Sequence, residues 1–528
     1  MGNILVRHLE GWLEGRVTKI NKTYSTMNTF RALLILLVMI LMVPSGYTQD
    51  TLKSKKLNAM IEKGMKEWQI PGLSAVVVKN GKVVFKKAYG IKDIETKKLV
   101  NENTLFSMAS TTKSLIAISL GILVDQDKVS WEDKVIDHLP SFKLSDPYIT
   151  ANARVIDLLT HNLGIGNADL LWVINNLSTA ETIDKFKYAK KTYPLRGGFT
   201  YQNIMYAVAG EVIEAVSGQH WSVFVENNIL KPLEMTKTQT KSKDIIEAGN
   251  FTTPHYNDLD DGVVKIDYTF SDQIGAAGMV WSTTNDVSNY LTFLVNDGVF
   301  KKDTILQPVT FKYLFKPHSI LTENAVYPTN ALTKPKWNTY GLGWFQQDYR
   351  GNKLDFHTGS LPGLVAIAGI IHDKDVAVYV FANLDHAELR HAIMYKAIDL
   401  YAFNDDRRDW HEEIFKLYSG FRDETKEAIK KRDQGRVMDT STSLTLDQYS
   451  GTYQNKMLGK VNISLVNGQL QIDFNNHLNY KMEHWHYNTF ITNKNSNLSG
   501  ELLINFNLKT SGKIKDFEVF EEKFIKKY

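Results

Sequence analysis

The sequence predicts a large α/β unit followed by a small all-β domain. Three observations support this prediction. Strand-like segments occur at both ends of residues 51–403, with mainly helical sequence between them. A charged segment without proline follows, and apolar and polar residues then alternate along residues 443–528. The chain has 528 residues, 43% hydrophobic and 23% charged, which excludes a disordered, collagen-like or coiled-coil protein.

The first 48 residues have the pattern of a signal peptide. Arg31 precedes an apolar run of 12 residues, 32–43, and small residues follow it. The run is shorter than the about 20 apolar residues that cross a membrane. We therefore expect an exported protein, periplasmic or extracellular, with no stable membrane span after cleavage. Translation is expected to start at Met27 and the mature chain near Gln49; an uncleaved anchor is the alternative.

Charge and cysteine content exclude several kinds of partner and site. The net charge of +4 includes +3 within residues 1–48, and no basic tract follows, so nucleic-acid binding has no electrostatic support. The chain contains no cysteine, which excludes disulfides, thiolate metal sites and a cysteine nucleophile. His161, His255 and His386 lack partners at metal-ligand spacing, and His411-Glu412-Glu413 lacks the second histidine of a zinc-binding helix. We expect neither a metal nor a cofactor.

The α/β unit begins with a helix and a hairpin. Apolar residues recur at helical spacing along residues 52–68, and Pro71-Gly72 ends that helix. Residues 73–78 and 83–89 are apolar runs on either side of Asn80-Gly81, a strong hairpin signal. Residues 115–124 are apolar on nearly all sides, which predicts a buried helix.

Strand signals return only near the end of the unit. The sequence between about residues 150 and 300 is mostly helical in pattern. Residues 341–345, 365–371 and 376–383 are rich in β-branched and aromatic side chains, and an amphipathic helix follows at 387–403. The sheet segments at the two ends of the unit are therefore expected to pair, with the helical segment as an insertion.

The remainder of the chain divides into a linker and a β domain. Residues 404–442 are predicted to be a charged helical linker, because 18 of the 32 residues from 405 to 436 are charged and none is proline. In residues 443–528, Val461, Ile463 and Leu465 alternate with polar residues, and further runs repeat this pattern. This alternation predicts a small antiparallel β domain.

A serine and a lysine mark the start of the buried helix. In Ser110-Thr111-Thr112-Lys113 the two residues are three apart and share one helix face. A serine at a helix start lies near the positive end of the helix dipole, which favours an anion there. This arrangement suits a nucleophile beside a base, although a capping serine with a surface lysine gives the same pattern.

Two further short motifs follow in the chain. Tyr201-Gln202-Asn203 precedes a helical pattern, and His357-Thr358-Gly359-Ser360 precedes a strand. Each is weak alone. In this order, with Ser110-x-x-Lys113, they resemble the three motifs of the serine β-lactamase and penicillin-binding-protein superfamily. The tyrosine of the second motif resembles the class C β-lactamase branch, with its related esterases and D-amino-acid peptidases.

The resemblance covers about residues 51–403 and implies an antiparallel sheet flanked by helices with a helical insertion. The tail, 443–528, resembles the small β-barrel-like domain often appended to such hydrolases. The resemblance also implies the roles of the site residues. Ser110 is the acylated nucleophile, Lys113 and Tyr201 transfer its proton to the leaving group, and Asn203 holds a substrate carbonyl. The edge strand carries Gly359 and Ser360, and the backbone N–H groups of Ser110 and Ser360 form the oxyanion hole.

His357 is a departure from the family pattern. Many relatives have a lysine at this position, a permanent cation suited to a substrate carboxylate. A histidine is near its titration midpoint at neutral pH, so we expect a weaker and pH-dependent anchor that loses affinity as His357 loses its proton. This puts carboxylate-bearing β-lactams in doubt as good substrates.

The resulting prediction is a secreted serine hydrolase that forms an acyl-enzyme on Ser110. Its substrate is an ester or amide, such as a peptide, a D-amino-acid derivative or a cell-wall fragment. The alternatives are a non-catalytic binding or sensor protein on the same fold and a true β-lactamase. Whether Lys113 or Tyr201 is the general base stays open, as do the oligomeric state and the role of the β domain, which caps the cleft, binds a polymer or mediates self-association.

Overall fold

The structure is a computed structural model that describes residues 45–259, 261–494 and 500–527. The predicted leader, residues 1–48 with Met27, lies almost entirely outside the described residues. Residues from Ala59 onward belong to one compact unit. None of the described helices is long and apolar enough to cross a lipid bilayer.

An eight-stranded antiparallel sheet organises the first part of the chain, here called the sheet domain (residues 72–403). Its strands lie in the order β2-β1-β14-β13-β12-β11-β10-β9. The strands up to this point are β1 (Gly72–Lys79), β2 (Lys82–Gly90), β3 (Phe106–Ser107), β4 (His255–Asp258), β5 (Gly262–Lys265), β6 (Trp281–Ser282), β7 (Val299–Phe300), β8 (Asp303–Thr304), β9 (Ser319–Ile320), β10 (Asn338–Tyr340), β11 (Phe345–Tyr349), β12 (Asn352–Leu361), β13 (Leu364–Ile371) and β14 (Val376–Ala382).

The two ends of the sheet domain pair, as the sequence predicts. Strand β1 runs antiparallel to β14, with Leu73 opposite Ala382. Strands β1 and β2 form the predicted hairpin, whose turn residues Asn80 and Gly81 both have positive φ. Strands β1, β13 and β14 are buried along almost their whole length, so their sequences are continuous apolar runs and not alternating apolar and polar residues.

Helices fill the insertion between the two sheet segments and cover both sheet faces. One helix, α1 (Ser45–Trp68), precedes β1. The helices between β2 and β11 are α2 (Thr112–Asp125), α3 (Val135–His138), α4 (Pro147–Asn152), α5 (Val155–Leu159), α6 (Leu170–Val173), α7 (Thr179–Phe186), α8 (Asn203–Ser217), α9 (Trp221–Val225), α10 (Ser242–Ala248), α11 (Gly275–Gly278), α12 (Thr284–Val295), α13 (Pro308–Leu314) and α14 (Asn330–Thr333). After β14 come α15 (Leu389–Ala402), α16 (Trp410–Gln434) and α17 (Leu446–Tyr449).

Alternation along β13 separates the two helical layers. Ala368 and Ile370 belong to the large apolar cluster that includes α2 and α12. Between them, Gly369 faces α15 so closely that an added Cβ would lie 2.5 Å from the sulfur of Met394. The core helix α2 is buried along nearly its whole length, which agrees with its apolar sequence on all sides.

The charged segment is a 25-residue helix, α16. It begins at Trp410, whose ring stacks on Tyr395 of α15 at a centroid distance of 4.6 Å. Beyond its first turns α16 is largely exposed, as its charge content predicts.

The C-terminal part, here called the barrel domain (residues 443–527), contains a closed antiparallel barrel of eight strands in chain order. Tyr453 on the first strand pairs with Lys526 on the last and closes it. Val461 and Ile463 face the interior as predicted, but Leu465 is 40% exposed because β16 ends one residue later in a turn. The strands are β15 (Gly451–Asn455), β16 (Gly459–Val466), β17 (Gln469–Phe474), β18 (Leu478–His486), β19 (Thr489–Thr492), β20 (Leu503–Leu508), β21 (Ile514–Val519) and β22 (Glu522–Lys526).

The barrel domain contacts the sheet domain beside α6. The amide of Asn475, in the turn between β17 and β18, donates a hydrogen bond to the side-chain oxygen of Asn175, two residues after α6. The buried apolar side chains of both domains form one continuous cluster. The barrel is therefore attached to the segment that carries α6.

Candidate active site

Ser110 lies in a 3-10 turn, Ala109–Thr111, directly before α2. The preceding residue, Ala109, has φ +45°, a left-handed conformation that is uncommon for residues other than glycine and costs about 1–3 kcal/mol. Its backbone N–H donates to Ser107 Oγ at 3.1 Å, which holds the turn. The serine therefore sits at the positive end of a core helix, on a turn fixed by its surroundings.

Lys113 lies one helical turn after Ser110 and is completely buried. Its Nζ donates to Ser110 Oγ at 3.1 Å, to Asn203 Oδ1 at 2.7 Å and to the Ala277 carbonyl at 2.8 Å. Burial lowers the pKa of Lys113 to about 7, and the charge of Asp169 opposes part of this shift. The Lys113 amine therefore has a pKa near neutral pH, and its hydrogen bonds hold it next to the Ser110 hydroxyl.

Tyr201 completes the group around the nucleophile. Its hydroxyl hydrogen-bonds Ser110, and Lys113 Nζ lies 4.9 Å from its ring centroid. Burial raises the pKa of Tyr201 well above 10, more than the Ser110 hydrogen bond lowers it. Tyr201 is therefore a neutral phenol at physiological pH and a proton donor.

Asn203 joins the nucleophile to the wall of the cleft. Its Oδ1 accepts from Lys113, and its Nδ2 donates to Asp169 Oδ2 at 3.0 Å. Both ends of this amide are therefore fixed, and its side chain lines the cleft. The sequence predicts Asn203 but gives no signal for its partner Asp169.

Gly359 and Ser360 lie on β12 next to the nucleophile. A Cβ on Gly359 would stand 2.2 Å from the Met108 carbonyl oxygen and 3.0 Å from Ser110 N, so only glycine permits this close approach. Strand β11 begins at Phe345, which is paired with Phe356. In an antiparallel ladder the backbone groups of alternate residues point to the same side, so the backbone N–H and C=O of Ser360 point to the same side of β12 as those of Phe356. At Ser360, β11 no longer lies on that side, and this edge of β12 is unpaired. Ser360 borders the cleft, as predicted.

His357 is placed differently from its expected role. Its side chain is 1% exposed and does not line the cleft. Its Nδ1–H donates to the Thr358 carbonyl at 2.6 Å, and its Nε2 accepts from the Tyr340 hydroxyl at 3.0 Å. Burial, followed by the nearby charge of Lys113, lowers the pKa of His357 to about 3. We therefore revise the expectation of a pH-dependent carboxylate anchor, because this imidazole stays neutral and faces the protein interior.

A cleft of about 660 Å³ opens over Ser110. Its walls are mainly aromatic and uncharged polar side chains, and Asp169 is the one charged residue lining it in the described part of the chain. Apart from the residues of the three motifs, the sequence did not indicate the wall residues, because they come from separate loops without a motif. The aromatic ones are Trp172, Phe199, Tyr201, Tyr327 and Phe345.

Arg390 is a second residue that the sequence did not indicate. Its guanidinium donates from α15 to the Gly359 carbonyl at 2.6 Å and to Ser360 Oγ at 3.0 Å. It is buried in an ion pair with Glu388 at 3.0 Å. Arg390 therefore holds Gly359 and Ser360 of β12 in place from α15, and its own charge is paired with Glu388 and does not line the cleft.

One group of potential metal ligands occurs among the described residues. Ligand atoms of Glu67, His411 and Glu412 lie within 4.8 Å of one another. None of these residues lines the cleft, so the chemistry at Ser110 does not involve them.

Comparison with known proteins agrees with this geometry. A family model described as Beta-lactamase matches residues 57–403, which include all three motifs. The chain belongs to the beta-lactamase family. This match confirms the resemblance seen in the sequence. The protein is an enzyme, a serine hydrolase of this family. A second model, for a domain of unknown function (DUF3471), matches residues 436–527.

Individual relatives are distant. Unguisins hydrolase ungD' of Aspergillus campestris is 25% identical over 414 residues, which are 75% of this chain and 74% of that protein. Protein flp of Staphylococcus aureus is 25% identical over 338 residues, only 63% of either chain.

Solved structures share the fold. The octameric penicillin-binding protein homologue from Pyrococcus abyssi superposes with a TM-score of 0.59 at 21% identity, covering 89% of this chain and 99% of that one. SurE superposes with a TM-score of 0.54 at 17% identity, covering 90% of this chain and all of that one. Both matches extend over the barrel as well as the sheet domain.

Proposed function

We propose that this beta-lactamase-family protein hydrolyses an ester or amide through an acyl-enzyme on Ser110. The observation that carries the proposal is the buried Lys113 amine, hydrogen-bonded to Ser110 Oγ at 3.1 Å at the floor of an open cleft. A serine needs a neighbouring base to become a nucleophile, and a lysine serves as one only when its pKa approaches neutrality.

In the first step, Ser110 Oγ attacks the substrate carbonyl and its proton passes to Lys113 Nζ. Lys113 is the better base of the two candidates, because burial lowers its pKa to about 7 whereas burial raises that of Tyr201. The two groups titrate as a coupled pair around one hydroxyl. Tyr201, hydrogen-bonded to Ser110, then passes a proton from protonated Lys113 to the leaving group.

Two backbone N–H groups stabilise the negative charge on the substrate oxygen. Ser110 lies at the start of α2, and the backbone groups of Ser360 face the open edge of β12. Gly359 brings the two segments together because it has no Cβ to separate them. One such donor is typically worth about 10²–10³ in rate. Water then releases the acyl group by the reverse proton transfers.

The substrate class follows from the cleft and from the relatives. The aromatic and amide-bearing walls suit a peptide-like acyl group. One relative is named as a hydrolase of unguisins, and a structure with the same fold is described as SurE with D-Leu. We therefore propose a peptide, a D-amino-acid derivative or a cell-wall fragment as the substrate.

We further propose that the protein acts outside the cytoplasm. The support is the basic residue and apolar run within residues 27–48. N-terminal sequencing of the native protein tests this: a start near Gln49 agrees with export, and a start at or before Met27 contradicts cleavage.

The direct test of function is hydrolysis of p-nitrophenyl acetate by residues 49–528 and by its Ser110→Ala variant. We expect the variant to lose at least about 10³ of the rate, because no other nucleophile replaces the serine. The matched control is Ser130→Ala, an exposed serine that does not line the cleft. Equal rates in wild type and Ser110→Ala would contradict the proposal and favour a binding protein; a chromogenic cephalosporin cleaved far better than esters would favour a β-lactamase.

A further inference from the structure

The wall of the cleft carries one negative charge close to the nucleophile. Asp169 Oδ1 accepts from the indole N–H of Trp172 at 2.9 Å. Its Oδ2 accepts from Asn203 Nδ2 and from Asn167 Nδ2, both at 3.0 Å. Three neutral donors therefore fix this carboxylate in one orientation, with acceptor capacity remaining.

Nothing in the described part of the chain neutralises this carboxylate by direct contact. Asp169 forms no ion pair there, and no other charged side chain lines the cleft. The charge of Asp169 raises the pKa of Lys113, but the two side chains are not in direct contact, because the Asn203 amide lies between them. Arg390 is paired with Glu388 behind the edge strand, and His357 is buried and neutral. Asp169 is thus the charged side chain that a substrate meets on the cleft wall in the described part of the chain.

A carboxylate on the cleft wall selects the charge of the ligand. A carboxylate on the substrate would meet Asp169 without a cation to offset it, and like charges disfavour binding. An ammonium group would find a charge-assisted acceptor in the Asp169 carboxylate. The site therefore has the chemistry of a cation subsite beside the acylation centre.

We propose that Asp169 binds a free ammonium group on the acyl side of the substrate. The preferred substrates are thus amides or esters of amino-bearing acyl groups rather than carboxylate-bearing compounds. This inference rests on the proposed acylation of Ser110 and names the substrate class for that same site. Asn203 connects Asp169 to Lys113, so an ammonium held there lies one amide side chain away from the proton-transfer group.

Three probes with one leaving group test the inference. They are the p-nitroanilides of alanine, N-acetylalanine and N-succinylalanine, each as the D and the L form, and they present an ammonium, no charge and a carboxylate respectively. For the preferred enantiomer, we expect kcat/KM for the free amine to exceed that for the acetyl probe at least about tenfold, and the succinyl probe to be poorest. The advantage of the free amine fades above pH about 8 as its ammonium loses its proton.

Asp169→Asn provides the decisive comparison. The free-amine to acetyl ratio of kcat/KM is expected to fall to near one, because the charge is removed while the side-chain shape is kept. Asp169→Glu, which keeps the charge, should retain part of the preference. The matched control is Asp303→Asn, an exposed aspartate on β8 that changes net charge equally but does not line the cleft. Its ratio should equal that of the wild type.

The outcomes separate this inference from the proposed function. Ser110-dependent hydrolysis without a free-amine preference, or with a ratio unchanged in Asp169→Asn, overturns the cation subsite and leaves the acyl-enzyme intact. If no probe is hydrolysed in a Ser110-dependent manner, the proposed function fails and the inference falls with it. A ratio that falls only in Asp169→Asn supports both.

Discussion

The floor of the cleft, Ser110 and Lys113 with Tyr201, and its wall, Asp169 and Trp172 with Tyr327, are built in different ways. Ser110 and Lys113 lie within one helical turn at the start of the buried core helix α2, and Tyr201 lies just before a second buried helix, α8. The wall comes from α6 and from loops far apart in the chain, and its side chains are only half-buried. The difference shows that the reaction depends on local spacing, whereas substrate choice depends on distant segments brought together by folding.

The largest effect on the floor is expected from Lys113→Met. We predict a loss of about 10²–10⁴ in kcat/KM for p-nitrophenyl acetate, the usual contribution of a general base. The matched control is Lys128→Met, which replaces an exposed lysine shortly after the end of α2 and should keep full activity. Retention of more than a tenth of the wild-type rate in Lys113→Met would move the role of base to Tyr201.

The same variant also tests the burial of the amine. The folded-state pKa of about 7 lies below the ordinary lysine value of 10.5, so between these values the unfolded chain binds more protons than the folded one. Wild-type stability therefore rises with pH across this window, and the gain is lost as the pH falls towards 7. Urea denaturation from pH 7 to 10 should show a smaller rise in Lys113→Met; an identical rise in both proteins would contradict a buried, depressed lysine.

Gly359→Ala should break the contact between the floor and the edge strand. Its Cβ would lie 2.2 Å from the Met108 carbonyl oxygen, so the strand must move away from Ser110. We expect about a 10²-fold loss of kcat, because displacement removes one oxyanion donor, together with roughly 1–3 kcal/mol of stability. Gly420→Ala in α16, where an added Cβ meets nothing within 4 Å, is the control and should keep wild-type activity.

The pH profile of kcat/KM distinguishes the two candidate bases. With Lys113 as the base, the rate on a neutral ester rises about tenfold per pH unit below its pKa of about 7 and is flat above it. His357 should add no second transition near pH 6.5, because burial lowers its pKa to about 3. A profile that still rises beyond pH 9 would indicate a phenolate base.

The smallest effect is expected where the barrel domain contacts the wall. Asn475→Gly removes the hydrogen bond to Asn175, and with it a 3.3 Å bond from the same amide to the Leu458 carbonyl within the barrel. It adds no backbone strain, since Asn475 has φ +52° and glycine accepts this conformation. Loss of the hydrogen bond between the domains, about 0.5–1.5 kcal/mol, should raise KM for peptide substrates two- to tenfold with kcat unchanged. Asn476→Gly, at φ +55° with an exposed side chain, is the control. Equal KM values in the two variants would show that the barrel does not position the wall.

The sequence predicts the contact between Ser110 and Lys113 because their short spacing determines it. Ser110 and Lys113 share a helix face at three residues apart, and the apolar run after Lys113 indicates that its stem is buried. Pairing of the sheet ends and closure of the barrel also follow from patterns within single strands, namely apolar runs and period-two alternation.

The wall and the true environment of His357 escape such reasoning. Asp169 becomes meaningful only beside Asn203 and Trp172, and the chain fold, not spacing, brings Asn203 to it. His357 has the right position in its motif, yet burial and the charge of Lys113 keep its imidazole neutral, and Tyr340 and the Thr358 carbonyl hydrogen-bond its two ring nitrogens in the interior. Leu465 likewise keeps the alternation but lies at a strand end, where the barrel interior no longer covers it.

The central claim is the covalent intermediate on Ser110. Its most direct test is to mix the protein with p-nitrophenyl acetate, quench in acid within milliseconds, and locate the acetyl group by peptide mass spectrometry. We predict one acetyl group on the peptide that contains Ser110 in the wild type and none at that position in Ser110→Ala. Acetyl on a different residue, with turnover preserved in Ser110→Ala, would contradict it.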